Sequence, residues 1–259
     1  YTTATGMRAQ QTMVDVIANN VANVNTAGFK RSAATFEDLL YVTTRAPGLA
    51  LDTNGVPAPV GLQIGSGSKL ASTPRSHPAG NLEITERPLD VAISGDGMFR
   101  VILPDGSFGY TRDGQFQINR DGTLVTNQGY ILDPQITVSD DVLDISITQE
   151  GRVTGRTAAS PDTTTDFGTL QLHRFANEPG LLSVGGNVFL QTEASGPPEP
   201  GTPGNLGLGL VQQGFVEGSN VEIVNELVNL IVAQRAYEVN SRAIQAADQM
   251  LSTATSIIR

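Results

Sequence analysis

Cysteine is absent from the 259 residues, which excludes disulfides and thiolate metal sites. Histidine is scarce. His77 and His173 are the only two, in regions of different character, and no carboxylates surround them at zinc-ligand spacing. Each reads as a surface or internally satisfied residue. Cations are also few. Lys and Arg number 16 against 26 Asp and Glu, for a formal charge of −10 and a pI near 4.6. Nucleic-acid binding draws on clustered cations and is disfavoured; acidity by itself is a matter of solubility. No apolar run approaches the roughly 20 residues that span a bilayer, so no membrane insertion is expected. No basic-then-apolar segment opens the chain, so export would use a route without a cleaved signal. The chain begins at Tyr1 rather than Met, and a few preceding residues are expected to have been left off.

Catalytic motifs are missing too. Gly65-Ser66-Gly67-Ser68 lacks the strand-to-helix setting of a nucleophile elbow. Gly204 to Gly209 lacks the strand-turn-helix of a dinucleotide site. The Asp-Gly steps lack the alternating acids and terminal Glu of a calcium loop. Nothing singles out an acid pair for glycoside cleavage. The chain reads as a non-enzyme with no cofactor.

What is present is a contrast between the ends and the middle. Both termini read as amphipathic helices with a seven-residue repeat. In the first, Met7, Val14 and Val21 fill one heptad position, and Ile17 and Val24 the second, with Gln10 as its polar member. This helix is expected to stop near Asn25, with Gly28 in the left-handed position beyond it. Asn19, Asn20, Asn23 and Asn25 crowd its last turns although Asn is a mediocre helix former. Hydrogen bonding in a packed interface and a solvated, frayed end both account for them.

In the last helix Ile223, Leu230, Tyr237, Ile244, Leu251 and Ile258 recur every seven residues. Ala233, Asn240, Ala247 and Ala254 form a second line whose small members permit close approach of a neighbour. Ser219 and Glu222 read as a capping box. From Val221 to Ile258 the helix would be roughly 57 Å long. Residues 1–31 lean basic and residues 217–259 acidic, a weak preference for pairing. The apolar stripes, with Leu227, the four Asn, Gly28 and Phe29, are the candidate subunit contacts.

The middle carries Asp96-Gly97, Asp105-Gly106, Asp113-Gly114 and Asp121-Gly122 at intervals of eight or nine, then Glu150-Gly151. Such steps supply the positive φ of tight hairpins. Alternating runs between them, such as Leu89, Val91, Ile93 and Phe99, Val101, Leu103, predict a meandering antiparallel sheet or small barrel. The expected class is α+β. Long N- and C-terminal helices would pair as a coiled-coil-like unit, with an all-β antiparallel middle domain. The expected division is 1–35 with 215–259 as a helical assembly domain, 36–75 as an extended hairpin or linker, 76–200 as the β domain and 201–214 as a Gly/Pro linker. Within this, 44–68 is expected to form a hairpin that touches neighbours, and 195–209 to be irregular.

Residues 17–31, IANNVANVNTAGFKR, resemble the amino-terminal signature of bacterial flagellar rod and hook proteins. Residues 217–251 resemble the carboxy-terminal signature, and 89–112 the start of the family's β domain. FEDLLY at 36–41, RAPG at 45–48 and GLQIGSG at 61–67 are similar to the distal-rod branch rather than the hook branch. Met98 stands where the family motif has an aromatic residue, a change Met accommodates. The resemblance implies a helical polymer of identical subunits in the basal body, spanning periplasm to outer membrane. Terminal helices would line an export channel inside an outer β layer. Implied partners are other rod proteins, hook or hook-junction subunits, the surrounding P- and L-ring proteins and the flagellar export apparatus. A paralogous proximal rod or hook protein is the nearest alternative. A β-rich extracellular binding module is the alternative from another class.

Overall fold

The computed structural model describes residues 2–45, 61–139, 141–158 and 160–257. The chain is α+β, with a helix at each end, α1 (Thr2–Ala22) and α2 (Ile223–Ile257), and a β-rich middle. It divides into two compact units. One gathers the described parts of 1–21, 32–74 and 223–259; the other gathers 22–31 and 75–222.

In the first unit α1 buries Ala9, Ile17 and Asn20. It ends at Ala22, three residues before the expected stop. Asn23 begins a turn instead: Thr26 N donates to its carbonyl at 3.1 Å, and Thr26 Oγ1 meets its side-chain oxygen at 3.3 Å. Local side-chain bonding of this kind competes with the helix. α2 begins at Ile223 rather than Val221, because Ser219 Oγ accepts from Val221 N at 3.3 Å and closes a turn ahead of the helix. Its 35 residues make it about 52 Å long.

Four short strands complete this unit: β1 (Thr35–Asp38), β2 (Tyr41–Arg45), β3 (Leu62–Gly65) and β4 (Ser68–Ser72). β1 pairs with β4 and β2 with β3, both antiparallel. The pairs Phe36–Leu70, Glu37–Lys69, Tyr41–Gly65 and Val42–Ile64 follow one register. From Phe36 to Thr43 the four strands therefore follow one two-stranded ribbon, and the register shifts by one residue at Thr35/Phe36 and at Thr43/Arg45. Residues 46–60, the centre of the hairpin expected over 44–68, lie outside the described residues.

The second unit is built on a nine-stranded antiparallel sheet. Its main path runs Leu182–Gly185, Val188–Leu190, Phe108–Thr111, Met98–Ile102, Ile131–Asp133, Leu124–Thr126, Phe116–Ile118. Met98–Ile102 is long enough to hold Leu172–Arg174 at one end and Ile131–Asp133 at the other. Val142–Ile147, Arg152–Thr157 and Ser160–Thr169 form a three-stranded sheet beside it. The core between them is aliphatic and aromatic, with Val91, Ile93, Phe99, Val101, Leu132 and Leu170 all buried.

The Asp-Gly steps divide by role. Gly106 and Gly122 turn hairpins with φ of 81° and 76°. Gly151 does the same at 80° in the second sheet. Asp113-Gly114 joins strands that do not pair. A Cβ on Gly114 would lie 1.7 Å from Val91 O, so glycine is there for close backbone approach. The Pro/Gly-rich stretch over 195–209 runs inside this unit: Glu199–Gly201 pairs with Leu172–Arg174, and Ser195 is fully buried.

Candidate assembly interface

Two short segments, one following α1 and one preceding α2, meet within the second unit. Gly28 N donates to Glu217 O at 2.8 Å, and Asn220 N to Phe29 O at 3.4 Å. Asn220 reinforces the join. Its Oδ1 accepts from Arg31 N at 2.7 Å, and its Nδ2 donates to Ser76 O at 2.9 Å. Gly28 has φ +68°, and a Cβ there would lie 2.8 Å from Asp113 N. It lies too far past Ala22 to cap α1; its purpose is this close crossing.

At the centre of the join is a buried ionic cluster. Glu217 Oε1 receives Lys30 Nζ at 2.7 Å and Gly80 N at 2.9 Å. Glu217 Oε2 receives Arg112 Nη1 at 3.0 Å. Lys30 also donates to Pro78 O at 2.7 Å and Arg112 to Gly95 O at 2.9 Å. Lys30, Arg112 and Glu217 are each at most 2% exposed, so this attraction is barely screened. Burial draws the Lys30 ammonium below its usual pKa, against the pull of Glu217. His77 lies beside the cluster. Its pKa falls to about 4, through burial first and then through Lys30, Arg112 and Arg75.

In the first unit the two helices touch along an antiparallel course. Asn20 Nδ2 donates to Glu226 Oε2 at 3.3 Å. Val14 and Gln11 line a cleft of about 420 Å³ with Gln234, Tyr237 and Glu238. A Cβ on Gly6 would lie 3.3 Å from Asn240 Nδ2. Asn20 also holds Ser32, donating to its carbonyl at 2.8 Å and accepting from its N–H at 3.0 Å. Glu226, Ala233 and Asn240 share the face of α2 turned to α1. On the opposite side lie Val224, Leu227, Val228, Ile231 and Val232, which are 44–73% exposed.

Among the described residues no group of three His, Asp or Glu could hold a metal ion, and no helix is long and apolar enough to cross a membrane. What the chain offers is exposed apolar surface on a tied pair of helices.

Comparison with known proteins identifies this arrangement. Residues 1–30 match the flagella basal body rod protein family. Residues 92–155 match the flagellar hook protein FlgE/F/G D1 domain, and residues 212–257 the flagellar basal body rod FlgEFG protein C-terminal family. The flagellar basal-body rod protein FlgG of Buchnera aphidicola subsp. Baizongia pistaciae is 49% identical over 249 residues, 95% of this chain and 94% of that protein. FlgG of Borreliella burgdorferi is 45% identical over 261 residues, 100% of this chain and 98% of the relative. The chain belongs to the flagellar basal-body rod protein family. It is a structural rod subunit of the flagellar basal body. The flagellar hook-basal body complex protein FlhP of Bacillus subtilis is a more distant relative at 29% identity.

The amino-terminal signature of the rod family corresponds to α1 and the segment that crosses Glu217. Of the candidate contacts there, Ile17, Asn20, Gly28 and Phe29 are buried, and Met7, Val14, Val21, Asn23 and Val24 are half-buried. Asn19 and Asn25 are exposed. In α2, Ala233 is buried, and Leu230, Asn240 and Ile244 are half-buried. Ile223, Leu227, Tyr237, Ala247, Leu251 and Ala254 are exposed. Ile258 lies outside the described residues. The seven-residue stripe thus faces α1 of its own chain through its middle. The wider apolar face lies behind it, at Val224, Val228, Ile231 and Val232, which heptad counting passed over. A count at three and four from Val224 finds it. The ionic cluster was also missed; its one sequence signal is an isolated Lys and Glu beside the glycines of the two signatures.

Proposed function

We propose that this rod subunit polymerises into a helical tube whose inner layer is made by the paired terminal helices. The observation that carries the reading is α2, apolar on two opposite sides. One side meets α1, and nothing among the described residues covers the other. Burying apolar surface yields roughly 25 cal/mol per Å². Contacts between two different faces, repeated from copy to identical copy without closing, generate a helix. The α1–α2 pair would act as a coiled-coil-like unit, the candidate contacts of both helices lying at or beside its seams. The assembly would enclose the export channel and carry motor torque to the hook, inside the P- and L-rings and in line with the other rod proteins. The net charge of −10 suits a protein partner rather than nucleic acid. No step requires catalysis or a cofactor.

Electron microscopy of the purified chain at rising concentration tests this. Straight tubes are expected above a threshold concentration. Ile231→Asp should keep the β unit folded, read by near-UV circular dichroism, yet form no tubes, because a carboxylate would be buried unpaired in the seam. A wild-type chain that stays monodisperse at every concentration overturns the proposal.

A further inference from the structure

The buried ionic cluster brings together an early segment, residues 27–31, and a late one, residues 215–220, of one compact unit. The two are held differently. Phe215–Glu217 has a strand of its own to pair with, Leu82–Ile84, and Gly218 N donates to Asn81 O at 2.7 Å. The early segment leans on the late one. Gly28 N and Arg31 N donate to Glu217 O and Asn220 Oδ1, and Lys30 Nζ to Glu217 Oε1. Ser76 N and Asn187 Nδ2 also donate to its carbonyls, at 2.8 and 2.7 Å, but neither carries charge.

Charge gives that dependence a direction. Arg112 directly follows Phe108–Thr111, which pairs with Met98–Ile102 across a tight hairpin, so it is in place as soon as this local pair forms. Glu217 arriving next gives Arg112 a counter-charge at 3.0 Å. Lys30 arriving before Glu217 would set two cations side by side, each at most 2% exposed in the finished unit, with no carboxylate in contact. Burial of uncompensated like charge is strongly disfavoured. Even in the finished cluster Arg112 opposes the charge on Lys30, and Glu178 supports it only weakly. Arg112 Nε meets no acceptor among the described residues, so no second carboxylate stands in for Glu217 there. Lys30 and Glu217 are 187 positions apart, which adds the entropy of closing a long loop to this step.

We infer that the cluster is an ordered latch: residues 27–31 are sealed into the β unit only after Phe215–Glu217 has docked, and Lys30 is the charge that enforces the order. The early segment of the unit stays open until the late one is in place, and its closure reports that the unit is complete. The latch closes within a single chain and does not depend on tube formation.

Pulse-labelling hydrogen exchange during refolding of the full chain, read by mass spectrometry, tests the order. Amides of 98–111 should gain protection first, those of 215–218 next and those of 28–31 last. Glu217→Gln should slow protection of 28–31 by about tenfold or more, while that of 98–111 stays within about twofold of wild type. Adding Lys30→Met to Glu217→Gln should bring 28–31 back to within about threefold of wild type, because the opposing charge is gone. Protection of 28–31 before 215–218 in the wild-type chain overturns the latch, whether or not the variants fold. A double variant as slow as Glu217→Gln alone would mean that lost hydrogen bonds set the delay, and overturns the role given to Lys30.

Discussion

Glu217 shows how much can rest on one side chain. It neutralises two cations and receives an N–H inside a dry pocket. Removing one member of such a set leaves uncompensated charge in low dielectric. Glu217→Gln should therefore lower the unfolding free energy by roughly 3–5 kcal/mol, read from urea midpoints. The histidines act at the same scale through pH. His173 is fully buried with neither ring nitrogen hydrogen-bonded among the described residues. Burial, and then Arg100, hold its pKa near 4, with Asp133 opposing. His77 is lowered to the same value. A histidine with a depressed folded pKa takes up protons first in the unfolded chain. Stability is thus unaffected above about pH 6.5 and is lost as pH falls from there toward 4, by up to roughly 3 kcal/mol per histidine. His173→Phe should remove roughly half of that acid sensitivity, measured as the difference in urea midpoint between neutral and acidic buffer.

Among the elements, α2 was the easiest to read and the easiest to misorient. Its unbroken seven-residue line announced a long helix, and its length came within a few residues. The same line pointed to the face that meets α1 and left the outer face unnoticed. Glu226 lies off that line, yet it is buried, with Asn20 donating to it across 206 positions of sequence. No local pattern reveals a partner that distant, and the same holds for Lys30 and Glu217. The ribbon falls within the stretch read as an extended hairpin or linker, 36–75, a reading that rests on boundary position and composition and not on period. Its strands alternate only weakly, and its apolar side faces solvent, so period alone could not say what it was for. By contrast the hairpins at Gly106 and Gly122 follow directly from local turn chemistry. With one side of α2 uncovered, its amides should exchange faster than those of the β core in dilute monomer. Tube formation should slow the exchange of 223–244 markedly, and equal protection in both states would contradict that expectation.

For the molecule as a whole, ten units of negative charge must be brought together each time a copy is added. Like charge opposes packing, and salt screens it within about 10 Å at 0.1 M. Apolar seams are not weakened by such screening. The threshold concentration for tubes should consequently fall as salt rises from about 0.02 to about 0.3 M. Pelleting assays at graded salt measure the trend, and a threshold that climbs steadily with salt would mean that ion pairs rather than apolar contact dominate the polymer.

The common register of the ribbon carries an evolutionary consequence. Side chains alternate strictly along a strand, so gaining or losing a single residue in one arm would turn everything beyond it toward the wrong side. The arm takes up such odd steps at Thr35/Phe36 and Thr43/Arg45, where its register shifts; between those points length can drift only in matched pairs of residues. Related chains with longer or shorter arms should differ there by even numbers, each keeping its greasy side pointed the same way.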